Sequence, residues 1–125
     1  MKRILLVDDE PHIIRLLKLA LEKEDYAVDS ALSGEAALQK ISQEQPAVLI
    51  TDLHMPGMSG RELCKRIEQE IPDRRFIIFV LTSGAGLEHR QWTAGIDNLV
   101  FLEKPVSIRK LLTMLETYFE NLSTP

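Results

Sequence analysis

Short apolar runs alternate with stretches of helical periodicity along the whole of this chain, and that alternation restricts its fold more than any other feature. Ile4-Leu5-Leu6-Val7, Ala47–Thr51 (apolar through Ile50), Phe76-Ile77-Ile78-Phe79-Val80-Leu81 and Leu99-Val100-Phe101-Leu102 are too short for core helices, and their apolar runs fit strands buried on both faces. Ala27-Val28-Asp29-Ser30-Ala31 is a weaker strand of the same series. Between them, Ile13, Leu17, Ala20 and Leu21 recur at helical spacing. Ser33 stands as the N-cap of a second helix carrying Ala36, Ala37, Leu38 and Ile41, closed by Pro46. Ser59-Gly60-Arg61-Glu62 has capping-box spacing and opens a third, with Leu63, Ile67 and Ile71. Gly84–Gly95 supports only a short, weak helix, because glycines lie among its first residues. Ile108, Leu111, Leu112, Leu115, Phe119 and Leu122 form the stripe of the last helix.

Five strands alternating with five helices predict an α/β fold: a doubly wound, open parallel sheet with helices on both faces. Right-handed crossovers leave few topologies, and ligands bind such sheets outside the carboxyl ends of the strands. The 125 residues are expected to form one domain, with a core over 1–120 and 121–125 as a tail or the start of a linker. A formal net charge of −4 gives no electrostatic case for nucleic-acid binding. The single cysteine, Cys64, rules out an intramolecular disulfide and fits a cytoplasmic setting. The apolar run after Met1-Lys2-Arg3 is too short for a signal sequence or a membrane span.

Polar chemistry collects at the strand ends. The first strand finishes in Asp8-Asp9-Glu10, the third in Asp52, the fourth in Thr82-Ser83 and the fifth in Glu103-Lys104-Pro105. Carboxylates gathered in one cleft repel one another, so some must protonate or share a cation. An all-oxygen cluster with room for water suits a hard ion, Mg2+ first. Adding a lysine and a hydroxyl suits a tetrahedral phosphoryl group, with one carboxylate as nucleophile. Each residue also has a plainer reading: the acidic pair as a helix N-terminal feature, Lys104 as a solvated loop lysine, Thr82 as a β-former. Their coincidence at one sheet edge favours the chemistry.

The stretch Asp52–Gly60, DLHMPGMSG, resembles the D-x-x-M-P-x-M-x-G pattern of the receiver domain of two-component response regulators. The acidic pair Asp8-Asp9 precedes it, Thr82 lies thirty positions after Asp52, and Lys104-Pro105 twenty-two after Thr82. The resemblance spans almost the whole chain. It implies the flavodoxin-like sheet order 2-1-3-4-5 seen in chemotaxis receivers, with Asp52 as the acceptor of a phosphoryl group from a sensor histidine kinase or phosphotransfer protein. It further implies that Mg2+ is held by Asp8, Asp9, Asp52 and the backbone carbonyl of His54. Lys104 would pair with Asp52, Thr82 would move onto the phosphoryl group, Phe101 would be the switch aromatic, and Lys104-Pro105 would be cis. Such a protein is a signalling phosphoacceptor that catalyses only its own phosphorylation and dephosphorylation. Its output face comprises the fourth helix, fifth strand and fifth helix, and a homodimer through that face is compatible with the family. The kinase would dock around the first helix, where Ile14, Arg15 and Lys18 are the positions to vary.

Pro56 restricts the loop after Asp52, Gly57 and Gly60 relieve it, and Met55 and Met58 anchor it by packing. Gly84 and His54 occupy the family's two variable positions that tune phosphoryl lifetime. His12 and His89 have no partner at ligand spacing, and Cys64 reads as a half-buried small hydrophobe. Ala94-Gly95 comes early and the approach to the fifth strand is long, so the fourth helix is expected to be short or displaced. Trp92 is either a partner anchor or packed inward. Three rivals remain at this level. A flavin carrier would need a phosphate-cradling loop where this chain has Asp8-Asp9-Glu10-Pro11. An aspartyl phosphatase would carry a second Asp where His54 stands. A receiver used only for docking would not need the acidic site.

Overall fold

The structure, a computed structural model, describes residues 2–83 and 88–123. The chain runs β1 (Arg3–Val7), α1 (Pro11–Glu22), β2 (Ala27–Ala31), α2 (Gly34–Gln43), β3 (Val48–Asp52), α3 (Gly60–Glu70), β4 (Ile77–Thr82), α4 (Glu88–Thr93), β5 (Leu99–Glu103) and α5 (Ile108–Ser123). The strands form one sheet in the order β2-β1-β3-β4-β5, all neighbours parallel. The first crossover runs outward from β1 to β2 and the later ones run the other way. Keeping each right-handed therefore sends α1 to one face and α2, α3 and α4 to the other, and α5, which follows the last strand, packs beside α1 through Leu111, Leu115 and Phe119.

The apolar runs feed both faces through the period of the strand. Ile4, Leu6, Val48, Ile50, Ile77, Phe79, Leu81 and Leu102 join Leu17 and Leu21 of α1 and Leu111, Leu115 and Phe119 of α5. Leu5, Val7, Leu49, Ile78 and Val80 join Ala37, Leu38 and Ile41 of α2 and Leu63 and Ile67 of α3. The edge strand β2 is only partly covered, and its Asp29 is tied to Lys40 at 2.7 Å. Among the described residues no helix is long and apolar enough to cross a membrane.

The helix starts follow the sequence. Ser33 Oγ accepts the Ala36 N–H, and Ser59 with Glu62 forms a complete capping box. Strands β3 and β4 each begin and end one residue later than the apolar pattern predicts, because pairing of Asp52 with Leu81 and of Thr82 with Glu103 extends the ladders into polar residues. The α4 helix has only six residues, and the turn after it passes through Gly95 (φ +86°) and Asn98 (φ +59°) before β5. The last helix continues to Ser123 and so takes in Asn121 and Leu122.

Several side chains lie elsewhere than the pattern predicts. Ile14 is buried, not available on the surface of α1, whereas Leu16 and Leu19 are exposed. Leu122, counted into the apolar stripe of α5, is exposed as well. Cys64 is fully buried rather than half-buried, and desolvation pushes its thiol up to about 12, which leaves it inert. His12 is exposed, 3.8 Å from Glu10. The positions of Gly84 and of the His89 side chain lie outside what the structure describes.

Candidate functional site

Because β1 and β3 are adjacent and in register, with Val7 opposite Thr51, the residues that follow emerge side by side at the carboxyl edge of the sheet. Asp8 and Asp52 are both buried there, and Asp9 is the most open of the three acids. One carboxylate oxygen from each of Asp8, Asp9 and Asp52 falls within 4.8 Å of the others. The loop after β5 brings in the only nearby positive charge among the described residues: Lys104 Nζ lies 2.7 Å from Asp52 Oδ1. Its backbone N–H bonds the Thr82 carbonyl at 2.8 Å, which fixes the lysine to the end of β4. The Lys104-Pro105 peptide is cis.

Asp52 is held further by its own turn. Oδ1 also accepts the Leu53 N–H at 3.0 Å, so both of these bonds fall on Oδ1 and Oδ2 carries neither. The turn is then pressed close by the start of α3. Gly60 donates its N–H to the Leu53 carbonyl, and a Cβ at Gly60 would lie 2.4 Å from the Asp52 carbonyl oxygen. Only glycine fits that approach. Met55 is buried beneath the loop, and Met58 covers Gly34 at the start of α2, so both methionines anchor the loop. His54 leaves its ring exposed beside them.

The electrostatics of this edge are unbalanced. Asp8 Oδ1 accepts the Glu10 N–H at 2.9 Å, whereas Asp8 Oδ2 is buried with no partner among the described residues. Burial, followed by the neighbouring charges of Asp52 and Asp9, holds the Asp8 carboxyl above the usual range, although the Glu10 N–H and Lys104 pull the other way. Burial alone would lower the Lys104 ammonium. Its bond to Asp52 and the charges of Asp52, Asp8 and Glu10 outweigh that and raise it. Three carboxylates against one ammonium leave a formal charge of −2. The orphaned Asp8 oxygen, the all-oxygen donor set and that charge fit a hard divalent cation.

The acidic pair is not a helix cap. The N-cap of α1 is Glu10, whose side chain makes no cap hydrogen bond, and Pro11 opens the helix. Thr82 is buried at the end of β4, on the same face of the sheet as Val80. Phe101, half-buried on β5, sits opposite Val80, and the indole of Trp92 meets it edge-on, with centroids 5.6 Å apart at 88°. Trp92 is thus packed inward. Its contact with Phe101, the support of Leu53 N–H to Asp52 and the closeness of Gly60 escaped the sequence reading. Only the Gly60 position carried a signal, as the last residue of the loop pattern.

The family model described as the response regulator receiver domain matches residues 4–116. The chain belongs to that family. A curated relative, the transcriptional regulatory protein ResD of Bacillus subtilis, is 33% identical over 98% of this receiver chain and 53% of its own length. The receiver chain spans about half the length of the first curated relatives it matches. Among solved structures, the chemotaxis protein CheY4 of Vibrio cholerae is 29% identical with a TM-score of 0.85, covering 94% of this receiver and 98% of that chain. The response regulator TrrA of Thermotoga maritima, solved in complex with Mg(2+)-BeF, is 34% identical with a TM-score of 0.80, again over 94% and 98%. The receiver fold and its sheet order 2-1-3-4-5 therefore stand on both the strand pairing and the similar structures.

Proposed function

We propose that this receiver is an Asp52 phosphorylation switch of two-component signalling. The reading is carried by one observation: two buried carboxylates, Asp8 and Asp52, meet Asp9 and Lys104 at a single sheet edge with an Asp8 oxygen left unsatisfied. Asp8, Asp9, Asp52 and the His54 carbonyl are the residues that would hold Mg2+. Bound there, the ion supplies charge neutralisation for a phosphoryl group and its developing negative charge.

The chain's own residues do the rest. An oxygen of Asp52 attacks phosphorus as the P–N bond to the kinase histidine breaks, and the imidazole leaves with its electron pair. Lys104 releases part of its hold on Oδ1 to neutralise a phosphoryl oxygen, and the Thr82 hydroxyl donates to another. Hydrolysis of the same acyl phosphate returns the switch to rest, so the protein acts on itself and not on a metabolite. The His54 ring, exposed beside the site, is placed to influence how readily water reaches it.

Drawing Thr82 toward Asp52 shifts Phe101 and reshapes the α4–β5–α5 face, a population shift between two arrangements. That face would engage a partner, a second receiver or a further domain, and the transcriptional role in the ResD name makes a further domain a natural output. The sensor kinase or phosphotransfer protein would dock around α1 through Arg15 and the half-exposed Lys18, beside the exposed Leu16 and Leu19, with the buried Ile14 taking no part. Two-component signalling of this kind places the receiver in the cytoplasm.

Intact-mass measurement after incubation with acetyl phosphate tests the reading. A single phosphoryl adduct is expected with Mg2+, and none in EDTA or in Asp52→Asn. An adduct that persists in Asp52→Asn would move the acceptor elsewhere, and no adduct on the folded protein would leave a phosphate-independent docking domain.

A further inference from the structure

Two half-buried aromatic rings link the output helix to the strand beside the proposed switch. Phe101 shares its side of the sheet with Val80, its register partner, and Thr82 lies two residues further along β4 on that side. Trp92 stands in the last turn of α4, and both rings pack against the core shared by α2 and α3. Their centroid distance of 5.6 Å and interplanar angle of 88° match the edge-to-face arrangement that the ring quadrupoles favour. The α4 helix has only six residues, too few to be stable through its own hydrogen bonds, so its position depends on tertiary contacts.

We propose that Trp92 is a positioning residue of the switch: its edge-on contact holds Phe101 in the arrangement of the unphosphorylated protein, and α4 is released when that pair parts. The inference rests on the phosphorylation reading above. It gives Trp92 a restraining role, because a contact made only in the resting arrangement lowers the population able to accept phosphate. Removing the ring should therefore speed phosphorylation. A leucine would keep apolar bulk but lose the quadrupole, whereas a phenylalanine would keep both.

Trp92 is the single tryptophan of the chain, so its emission reports this contact without interference. Fluorescence of the unmodified protein is expected to change on adding Mg2+ with beryllofluoride, a tetrahedral phosphoryl mimic. Mg2+ alone, or the mimic with Asp52→Asn, should leave it flat. Phe101→Leu should still form the mass adduct with acetyl phosphate yet lose most of the fluorescence change. Trp92→Leu should phosphorylate roughly 2- to 10-fold faster, the range that one edge-to-face pair commands, and Trp92→Phe should stay near the parent rate. Far-UV circular dichroism confirms that each variant is folded, and the fluorescence arm needs no Trp92 variant. An adduct on the parent with unmoved fluorescence, or with equal rates for Trp92→Leu and the parent, overturns the role of Trp92 and spares the phosphorylation reading. No adduct on the parent removes both.

Discussion

At the scale of single residues, Asp8 carries a conflict between stability and the proposed chemistry. The residue is 4% exposed, one carboxylate oxygen is held by the Glu10 N–H, and the other is buried without a partner among the described residues. A buried polar atom left unsatisfied costs about 1–3 kcal/mol, and the charges of Asp52 and Asp9 add to that burden. Lys104 gives some of it back but bonds Asp52 directly. Neutralising Asp8 should thus stabilise the metal-free protein. Asp8→Asn is expected to raise stability by about 1 kcal/mol in EDTA, a Tm increase of about 3–5 °C for a domain of this size. In Mg2+ the order should reverse, because only the parent gains from the ion. Thermal melts of both proteins in EDTA and in Mg2+ check this. A lower Tm for Asp8→Asn in EDTA would mean that Asp8 is held mainly by attraction to Lys104.

At the scale of elements, the start of α3 decides where Asp52 stands. Two neighbouring changes separate helix stability from site geometry. Ser59→Ala removes the cap, costs about 1 kcal/mol, and should leave the phosphorylation rate close to the parent value. Gly60→Ala would force a Cβ against the Asp52 carbonyl and Leu53 Cα, at 2.4 and 2.8 Å, so the β3 end must shift. We expect about 1–3 kcal/mol of destabilisation and a much slower phosphorylation of Asp52. Denaturant unfolding beside mass-spectrometric kinetics would show it, and a Gly60→Ala protein phosphorylating at the parent rate would refute the geometric account. These elements also show what the sequence could reveal. Ser33 and Ser59 announce their helices because capping is local chemistry, and the strand ends carrying Asp8, Asp52, Thr82 and Lys104 could be aligned because parallel strands emerge at one edge. The face of α1 was not legible. Ile13, Ile14, Leu16, Leu17, Leu19, Ala20 and Leu21 are apolar nearly all round the helix, so periodicity could not choose Ile14 for the core over Leu16 and Leu19. Nor could it decide between an outward and an inward Trp92, since Phe101 meets it only after the fold is made.

At the scale of the whole molecule, two groups of carboxylates pull the pH dependence of stability in opposite directions. The hydrogen bond from Lys40 lowers the Asp29 carboxyl, helped by the Ser30 N–H, the charge of Lys40 and that of Arg3. A depressed folded pKa gives stability that is complete above the unfolded value and is lost as pH falls through the folded one. Asp8 behaves oppositely. Its folded pKa is raised, so the folded state holds the proton more tightly, and stability increases as pH falls through that raised value and levels off below the unfolded one. Lys104, also raised, keeps its contribution until the alkaline range, where it is lost as pH rises through the folded pKa. The metal-free protein should therefore gain stability from Asp8 as pH falls, until the contribution of Asp29 fails in the carboxylate range. Under the proposed reading, Mg2+ binds the ionised acids and competes with protons for Asp8, so saturating metal should move the stability maximum toward neutral pH. Urea unfolding across pH 4.5–8.5 in EDTA and in Mg2+ measures both curves. A maximum that stays at one pH in the two series would place Asp8 outside the metal site and leave its burial without a functional reason, whereas a maximum that moves in the parent but not in Asp8→Asn would tie the shift to that single carboxylate.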